Sequence, residues 1–352
     1  MKKVKRFYFS CVFYLIVFFF SFYTLKYFIS DAAEVSFLLA TMYFVVLFVR
    51  KSEFSFIPHF LHSAAGLFLG FAWVGFTTTV LVNLVSLFLP ISQKVRFLGL
   101  AFAAILALAA VLNNRMIMSR YFTIRNSKIK QPVRIAQISD LHVTGPKAKM
   151  QFEKVMTQVL LENPDVIVIS GDLIDVPRVP TAESFDILHQ IRTPIIFVTG
   201  NHDYYAGADY VQSFLEERGV HVLRGAQKTI KGITFVGVDD PTGKVKLEST
   251  INKMKLPATK YKVLVYHQPR KVNYVVSKGF DLMLSGHTHA GQMYPFNYVV
   301  RLQFKYVVGF HRIKNMILYI NPGTGTWEIP MRIGSKNTIA VFDLKPKNEK
   351  KE

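Results

Sequence analysis

Seven side chains of the types that bind metal ions occur in short motifs between residues 140 and 289. Each motif directly follows a short apolar or β-branched run that is typical of a strand. The candidate ligands are Asp140, His142, Asp172, Asn201, His267, His287 and His289. Because ligands of open α/β sheets bind beyond the carboxyl ends of the strands, this placement predicts that the seven side chains meet at one edge of the sheet structure.

A mixture of carboxylate, amide and imidazole ligands suits two divalent cations that act on phosphate. Two cations about 3.5–4 Å apart clamp phosphate oxygens and lower the pKa of a bound water. Such a site needs one carboxylate that bridges the ions, and mixed oxygen and imidazole ligands favour Mn, Fe or Zn over calcium or a structural zinc. The sequence therefore predicts two divalent metal ions (Mn, Fe or Zn) as cofactors.

The adjacent pair His202 and Asp203 supplies an acid/base group and a carboxylate. An imidazole beside two cations needs an anionic neighbour to stay positioned and protonated, so we predict that this pair is catalytic. Asp175 is ambiguous, since it could orient another group of the site. Asp239 and Asp240 precede a proline and are interpreted as turn formers.

Between residues 133 and 342 the chain alternates between strand-like and helical patterns. The strand-like runs are residues 133–138, 166–169, 195–198, 233–238, 263–266, 282–284, 317–320 and 338–342. Helical patterns cover residues 149–162, 183–191 and 208–217. Alternating strands and helices predict an α/β domain with largely buried sheets.

Taken in order, the motifs resemble those of one known family. Asp140-x-His142, Gly171-Asp172, Gly200-Asn-His-Asp203, a lone His267 and Gly286-His-x-His289 are similar to the motifs of calcineurin-like metallophosphoesterases. The resemblance covers residues 133–344 and departs only in the sequence Tyr-His-Gln-Pro around His267. It implies a four-layered α/β/β/α sandwich of two sheets with a dimetal site at the strand ends.

The resemblance also implies a role for each residue. The first metal would be held by Asp140, His142 and His289, and the second by Asn201, His267 and His287. Asp172 would bridge the two metals. His202 would protonate the leaving oxygen or stabilise the transition state, and Asp203 would orient His202.

The N-terminal third has the composition of a membrane module. The chain is 51% hydrophobic with a mean hydropathy of +0.25. Apolar runs cover residues 7–25, 33–49, 60–89 and 95–112, each close to the roughly 20 residues that a bilayer core requires. A cleaved signal peptide would explain only the first run. We predict a membrane module of about four transmembrane helices (1–114), a basic juxtamembrane linker (115–131), a metallophosphoesterase domain (132–345) and a charged tail (346–352).

Basic residues predict the orientation of these helices. The basic N-terminus, Arg50-Lys51 and the basic residues of 115–130 fall on one side, which predicts cytoplasmic termini and a cytoplasmic catalytic domain. Lys94 and Arg96 fall on the opposite side and weaken this prediction. The single cysteine, Cys11, excludes an intrachain disulfide and permits a cytosolic domain. The formal net charge of +20 indicates attraction to anionic lipid or substrate, or positive-inside bias with a solvated tail.

Residues 294–312 interleave aromatic and basic side chains directly after the last predicted ligands. This pattern is compatible with a lid that grips a lipid-linked phosphate at the membrane interface, with a plain hairpin, or with a nucleic-acid surface. The apolar runs favour a membrane partner over nucleic acid.

These observations predict an integral, multi-pass, membrane-anchored phosphoesterase that cleaves a phosphodiester or pyrophosphate bond. With its N-terminal spans the chain is similar to the branch called transmembrane protein with metallophosphoesterase domain. That resemblance implies a lipid-linked substrate such as UDP-2,3-diacylglucosamine, a precursor in lipid A biosynthesis, and contact with membrane lipids. Two alternatives stay open: an anchored nucleotide phosphodiesterase or nuclease, and a non-enzymatic membrane sensor with a phosphate-binding domain.

Overall fold

The computed structural model describes residues 22, 25, 26, 59–176 and 179–347, which fall into two compact units. The first unit contains the described residues up to Asn113 together with Glu328–Met331. The second contains Asn114–Trp327 and the described residues from Arg332 onward.

Two long apolar helices make up most of the first unit. Helix α1 spans His59–Ser86 and helix α2 spans Gln93–Arg115. By length and composition, residues Gly66–Ser86 of α1 and the whole of α2 are long and apolar enough to cross a membrane. Arg96 Nη1 donates a hydrogen bond to Asn83 Oδ1 over 2.8 Å, which pairs a polar group near the end of α1 with one near the start of α2.

These helices correspond to the third and fourth predicted membrane spans. The first two predicted spans, residues 7–25 and 33–49, lie outside the described residues except for residues 22 and 25.

The second unit contains twelve described strands in two six-stranded sheets. In chain order they are β1 (Ile117–Asn126), β2 (Val133–Ile138), β3 (Val166–Ile169), β4 (Ile195–Phe197), β5 (His221–Val222), β6 (Ala226–Ile230), β7 (Ile233–Gly237), β8 (Tyr261–Val265), β9 (Leu282–Ser285), β10 (Gly309–Ile313), β11 (Met316–Ile320) and β12 (Asn337–Pro346). The first sheet has the order β1-β12-β2-β3-β4-β5 and the second β10-β11-β9-β8-β7-β6.

The central strands are parallel and their side chains are buried on both faces. Strands β2 to β5 run parallel in the first sheet, and β7, β8, β9 and β11 run parallel in the second. Runs such as Val166–Ile169 are buried at every position. Parallel strands carry such continuous apolar runs because other layers cover both faces of their sheet.

Three apolar cores define the layers. One lies between the sheets, where Val168 and Phe342 of the first sheet join Phe235 and Tyr319 of the second. The outer face of the first sheet packs on α3 (Ala148–Leu161), on a 3-10 segment (Ala182–Gln190) and on α5 (Ala208–Glu217), which follows the short α4 (Asn201–Ala206).

The outer face of the second sheet packs on α6 (Leu247–Asn252) and α7 (Val272–Ser277). A further short helix, α8 (Asn297–Gln303), carries no buried side chain. The predicted α/β class with two sheets between helical layers is confirmed.

Within the predicted linker 115–131, β1 occupies residues 117–126 and pairs along its whole length with β12. Its inner positions, such as Ile124, join the core between the sheets, whereas the charged residues that suggested a linker point outward. Within residues 294–312, one possible hairpin of the sequence analysis, residues 297–303 form helix α8, and a hairpin is formed instead by β10 and β11.

The two sheets bring the carboxyl ends of their parallel strands to the same edge of the sandwich. Gln137, near the end of β2, donates from Nε2 to Ser170 Oγ (2.8 Å) beyond β3 and to Ser285 O (3.1 Å) at the end of β9. This buried amide ties both sheets together directly below the loops that carry the predicted ligands.

Candidate metal centre

The candidate ligands gather at this shared edge in two clusters. Asp140, His142 and His289 form the first, and Asp172, His267 and His287 form the second. In each cluster one ligand atom per residue lies within 4.8 Å of the others. Loops after β2 and β3 of the first sheet and after β8 and β9 of the second supply these residues, so the site exists only where the sheets meet.

In the first cluster, the Nε2 atoms of two imidazoles point toward each other. His142 Nε2 lies 3.0 Å from His289 Nε2, and His289 Nε2 lies 3.5 Å from Asp140 Oδ1. Two imidazole nitrogens and a carboxylate oxygen directed at one point form a ligand set for a divalent cation.

Asp172 lies between the two clusters. Its Oδ2 is 3.1 Å from His267 Nε2 and 3.7 Å from His142 Nε2. Its other oxygen, Oδ1, accepts the backbone N–H of His202 over 2.8 Å. One oxygen is thus fixed by the backbone and the other faces histidines of both clusters, which is the position that a bridging carboxylate needs.

The hydrogen bonds of the site fit a bound cation. His267 Nδ1 donates to Ser170 O at 2.8 Å, which directs Nε2 toward Asp172 Oδ2 at 3.1 Å. Among the described residues, neither His267 Nε2 nor the buried Asn201 Oδ1 has a hydrogen-bond partner within hydrogen-bonding geometry. Buried polar atoms seldom stay unpaired, and a bound cation would provide a partner for both.

The electrostatics of the buried carboxylates also favour bound positive charge. Burial raises the pKa of Asp140, whereas for Asp172 the opposing effect of burial is outweighed by His267, His142 and His202, which hold its pKa well below the ordinary value. Burial alone would lower the pKa of His267, but Asp172 and Asp140 raise it well above the ordinary value.

The imidazoles of His287 and His289 stay neutral, which metal coordination requires. Burial, reinforced by His267 and Arg270, lowers the pKa of His287 to about 3. Burial together with His142 and Arg332 holds the pKa of His289 well below its usual range. Both side chains can therefore offer a lone pair at neutral pH.

His202 stands beside these clusters and has a partner other than the predicted one. Its Nδ1 lies 2.7 Å from Asp175 Oδ1. Burial lowers the pKa of His202, but the hydrogen bond to Asp175 and the charges of Asp172, Asp175 and Asp203 raise it to about 9. His202 is thus an imidazolium at neutral pH and can donate a proton.

The carboxylate of Asp203, which we predicted to orient His202, is engaged by the backbone. Asp203 accepts the N–H groups of Asp172 and Gly200 at 2.8 Å, Leu173 at 3.0 Å and Ile174 at 3.1 Å. These bonds fix the loop that carries Asp172. Asp175, which the sequence left ambiguous, is the carboxylate that contacts the His202 ring, and its spacing of three residues from Asp172 was the available signal.

The backbone of the ligand loops is strained. Five candidate ligands have positive φ angles, between 49° and 73°: Asp140, His142, Asp172, His287 and His289. Non-glycine residues in this region cost of order 1–3 kcal/mol each and persist where the surroundings impose them. A Cβ at Gly200 would lie 2.1 Å from Asp172 Oδ1, and one at Gly286 would lie 2.2 Å from Asp140 Oδ2, so these glycines allow both carboxylates to approach.

A buried arginine supports the first cluster from behind. The Arg332 guanidinium donates to Pro322 O (2.8 Å), Gly325 O (2.6 Å) and Asn337 Oδ1 (2.6 Å). Gly325 N in turn donates to Asp140 O over 3.1 Å. No motif in the sequence singles out Arg332, because its role depends on carbonyls that only the folded loop directs at it.

Aromatic rings form the rim of the site. Trp327 and Tyr205 approach the His202 ring edge-on, with centroid distances of 5.8 and 5.2 Å. On the other side, the Phe304 ring lies 5.2 Å from that of His287, and the Arg270 guanidinium lies over Phe304 at 4.5 Å. Trp327 and Tyr205 are exposed and offer apolar surface beside His202, whereas Phe304 is buried next to the exposed Arg270.

Comparison with known families and proteins identifies several similar proteins. Residues 133–291 match the family of calcineurin-like phosphoesterases. An uncharacterised metallophosphoesterase of Helicobacter pylori is 31% identical over 231 residues, which are 63% of this chain and 62% of the relative. A protein of Danio rerio named transmembrane protein with metallophosphoesterase domain is 30% identical over 234 residues, covering 60% of this chain and 53% of the relative.

The chain thus spans less than two thirds of the length of these two relatives. Among solved structures, a novel archaeal phosphodiesterase aligns with a TM-score of 0.32 and 13% identity, over 54% of this chain and 84% of that chain.

Proposed function

Because the chain carries a calcineurin-like phosphoesterase domain, we propose that it is a metal-dependent hydrolase that cleaves a phosphodiester or pyrophosphate bond. The observation that carries this proposal is the position of Asp172, whose Oδ2 lies 3.1 Å from His267 Nε2 and 3.7 Å from His142 Nε2. One carboxylate that faces both ligand clusters is what a dimetal centre requires.

Two divalent cations, Mn, Fe or Zn, fit the donor set of carboxylate oxygens and neutral imidazoles. We assign Asp140, His142 and His289 to one cation, Asn201, His267 and His287 to the other, and Asp172 to both. When bound, such a pair neutralises phosphate oxygens and supplies hydroxide as the nucleophile at neutral pH.

The residues of the chain contribute proton transfer and orientation. The imidazolium of His202 donates a proton from Nε2 to the leaving oxygen, because Nδ1 is held by Asp175 at 2.7 Å. Asp175 keeps the ring in place and stabilises its positive charge. Asp203 acts at a distance from the substrate, since its four hydrogen bonds to backbone amides hold the Asp172 loop.

We further propose that the protein is an integral, multi-pass membrane protein with a cytoplasmic catalytic domain. Two described helices are long and apolar enough to cross a membrane. The basic residues that follow α2 and the basic N-terminus support the orientation through the positive-inside rule.

A lipid-linked phosphate, such as UDP-2,3-diacylglucosamine, is the proposed substrate. An enzyme held on a bilayer meets amphipathic substrates at high local concentration, and the exposed rings of Tyr205 and Trp327 beside His202 suit an apolar or stacking group. Nucleotides are the competing substrate class, because their bases would stack on the same rings.

Replacement of the bridging carboxylate tests the proposal. Asp172→Asn keeps the shape of the side chain but removes the charge shared by the two ligand clusters. Full-length protein with manganese is assayed on UDP-2,3-diacylglucosamine, phospholipids, nucleotides and a soluble aryl phosphodiester. We expect the variant to lose more than about 100-fold in activity on every substrate that the wild-type protein cleaves.

The control is Asp209→Asn, which removes an exposed carboxylate that pairs with Arg224 and belongs to neither ligand cluster. It should retain wild-type activity. Cleavage of nucleotides alone would replace the lipid substrate with a nucleotide, and undiminished hydrolysis by Asp172→Asn would disprove the dimetal mechanism.

A further inference from the structure

Helix α8 presents apolar side chains to solvent rather than to the core. Leu302 is 86% exposed, Tyr298 54% and Val299 45%, and the helix buries none of its seven residues. Single exposed apolar residues are ordinary on protein surfaces, but several on one short helix form a patch that marks an interaction site.

The charge around this patch has one sign. No Asp or Glu occurs between Asp281 and Glu328, whereas Arg301, Lys305, Arg312 and Lys314 fall in that interval. The Arg301 guanidinium lies 5.8 Å from the centre of the Tyr298 ring. Aromatic and aliphatic side chains flanked by arginine and lysine match the headgroup region of an anionic bilayer, where the rings and apolar groups enter the interface and the cations contact lipid phosphates.

The patch is connected through side-chain contacts to the loop that carries the candidate ligands His287 and His289. Thr288, between His287 and His289, donates its hydroxyl to Val307 O over 2.5 Å. The His287 ring packs against Phe304, the residue that directly follows α8, with 5.2 Å between centroids. Any surface that α8 touches therefore lies close to the metal centre.

The chain enters the second unit at the same edge. Strand β1 starts at Ile117 opposite Asn337, and β12 continues antiparallel to β2 with Ala340 opposite Gln137. The start of β1 is thus beside the carboxyl end of β2, where the ligand loops begin. Only Met116 separates it in the chain from the end of the apolar helix α2.

We propose that α8 with its basic flank, residues 297–305, is an interfacial surface that seats on an anionic bilayer and delivers lipid headgroup phosphates to the metal centre. The delivery step rests on the proposed hydrolase function. The seating itself does not, because it depends on the exposed side chains of Tyr298, Val299 and Leu302 and on the cations of Arg301 and Lys305.

Fluorescent labelling of the full chain tests the seating without reference to activity. Leu302→Cys and, as the matched control, Glu217→Cys are each made with Cys11→Ser and labelled with an environment-sensitive dye. Glu217 ends α5 and therefore lies at the opposite edge of the sheet. In vesicles that contain phosphatidylglycerol, we expect a blue shift and quenching by headgroup-nitroxide lipid at position 302 but not at 217, and a reduction of both effects in pure phosphatidylcholine.

Equal signals at the two positions would overturn the proposal. A shift at 302 that ignores lipid charge and grows with the protein-to-lipid ratio would assign the patch to a second copy of the chain and would also overturn it.

Delivery is tested with Leu302→Asp, whose charge opposes entry into an anionic interface. We expect hydrolysis of UDP-2,3-diacylglucosamine in vesicles to fall about tenfold, equivalent to about 1.4 kcal/mol, while hydrolysis of a soluble aryl phosphodiester stays within about twofold. Equal loss on both substrates would overturn delivery. Failure of the proposed function is distinguishable, because the wild-type protein would then cleave neither substrate while the label at 302 still reported the bilayer.

Discussion

At the scale of single residues, the proton donated to the leaving group depends on the contact between His202 and Asp175. Asp175 Oδ2 also lies 3.4 Å from His142 Nδ1, so one buried carboxylate touches both the proposed acid and a proposed ligand. Its own pKa is held far below the ordinary value, since hydrogen bonds from the two histidines outweigh the opposing effect of burial.

Asp175→Asn should weaken proton donation more than phosphate binding. We expect kcat to fall about 100-fold or more for a diester with a poor leaving group, such as an alkoxide, because that oxygen needs a proton as the bond breaks. For a nitrophenolate leaving group, which is stable as an anion, the loss should be about tenfold or less. The measurement is kcat for the two substrates, with Asp186→Asn, a carboxylate bound to Arg218, as the matched control.

If Asp175→Asn lowered both rates equally, Asp175 would act through the ligand His142 rather than through the acid His202. That outcome would contradict the assignment of Asp175 as the residue that positions the acid.

The clustering of the candidate ligands could be predicted from the sequence, because each follows a strand and carries a side chain of a metal-binding type. The partner of His202 could not be predicted in the same way. Asp203 adjoins His202 in sequence, but α4 begins at Asn201, and the Asp203 side chain turns back to the start of that helix, where Gly200 N–H and the Asp172 loop bind it. Such a choice between two carboxylates depends on backbone dihedral angles that no residue type encodes.

At the scale of elements, the segment from Pro322 to Asn337 supports the loop after β2 through hydrogen bonds. Thr324 N donates to Ser139 O over 2.7 Å and Gly325 N to Asp140 O over 3.1 Å, so this segment continues the hydrogen bonding of the sheet past the end of β2. Arg332, 1% exposed, holds the segment from inside through carbonyls of Pro322 and Gly325.

Arg332→Met should destabilise the fold, because several buried carbonyls lose their donor and each costs about 1–3 kcal/mol. A total of about 3 kcal/mol would lower Tm by about 6–12 °C for a domain of this size. Thermal unfolding of the full chain in detergent measures this change. The exposed Arg192→Met is the matched control and should unfold at the wild-type Tm. An unchanged Tm in Arg332→Met would mean that water replaces the guanidinium at no cost.

The central strands could be predicted from the sequence, and the edge strands could not. The runs that form β3 and β11 are continuously apolar, because helices and the opposite sheet cover both faces. Strand β10 alternates between half-buried and exposed positions, β6 is exposed at its three central positions, and β5 has only two residues. The pairing of an edge strand is decided by its neighbouring strand. For β1 this neighbour is β12, which is distant in sequence.

At the scale of the whole molecule, charge is concentrated where two sheets meet. Asp140, Asp172, Asp175 and Asp203 are all at most 5% exposed, and the pKa of Asp203 is raised to about 7 by burial and by the charge of Asp172. Of the surrounding imidazoles, His287 and His289 are neutral and offer no compensating charge. The folded state therefore contains buried carboxylates whose repulsion a divalent cation would relieve.

Removal of divalent metal should accordingly lower the thermal stability of the full chain. Ligand binding to the folded state alone adds RT ln(1 + [L]/Kd), about 2.7 kcal/mol at a concentration of 100 Kd. We expect Tm to fall by several degrees in EDTA and to recover when manganese exceeds the chelator, as measured by scanning fluorimetry of the detergent-solubilised protein. Asp172→Asn has one buried charge fewer and lacks the bridging ligand, so its Tm should respond less to EDTA than that of Asp209→Asn. Identical responses of these two variants would place the stabilising metal outside the centre built around Asp172.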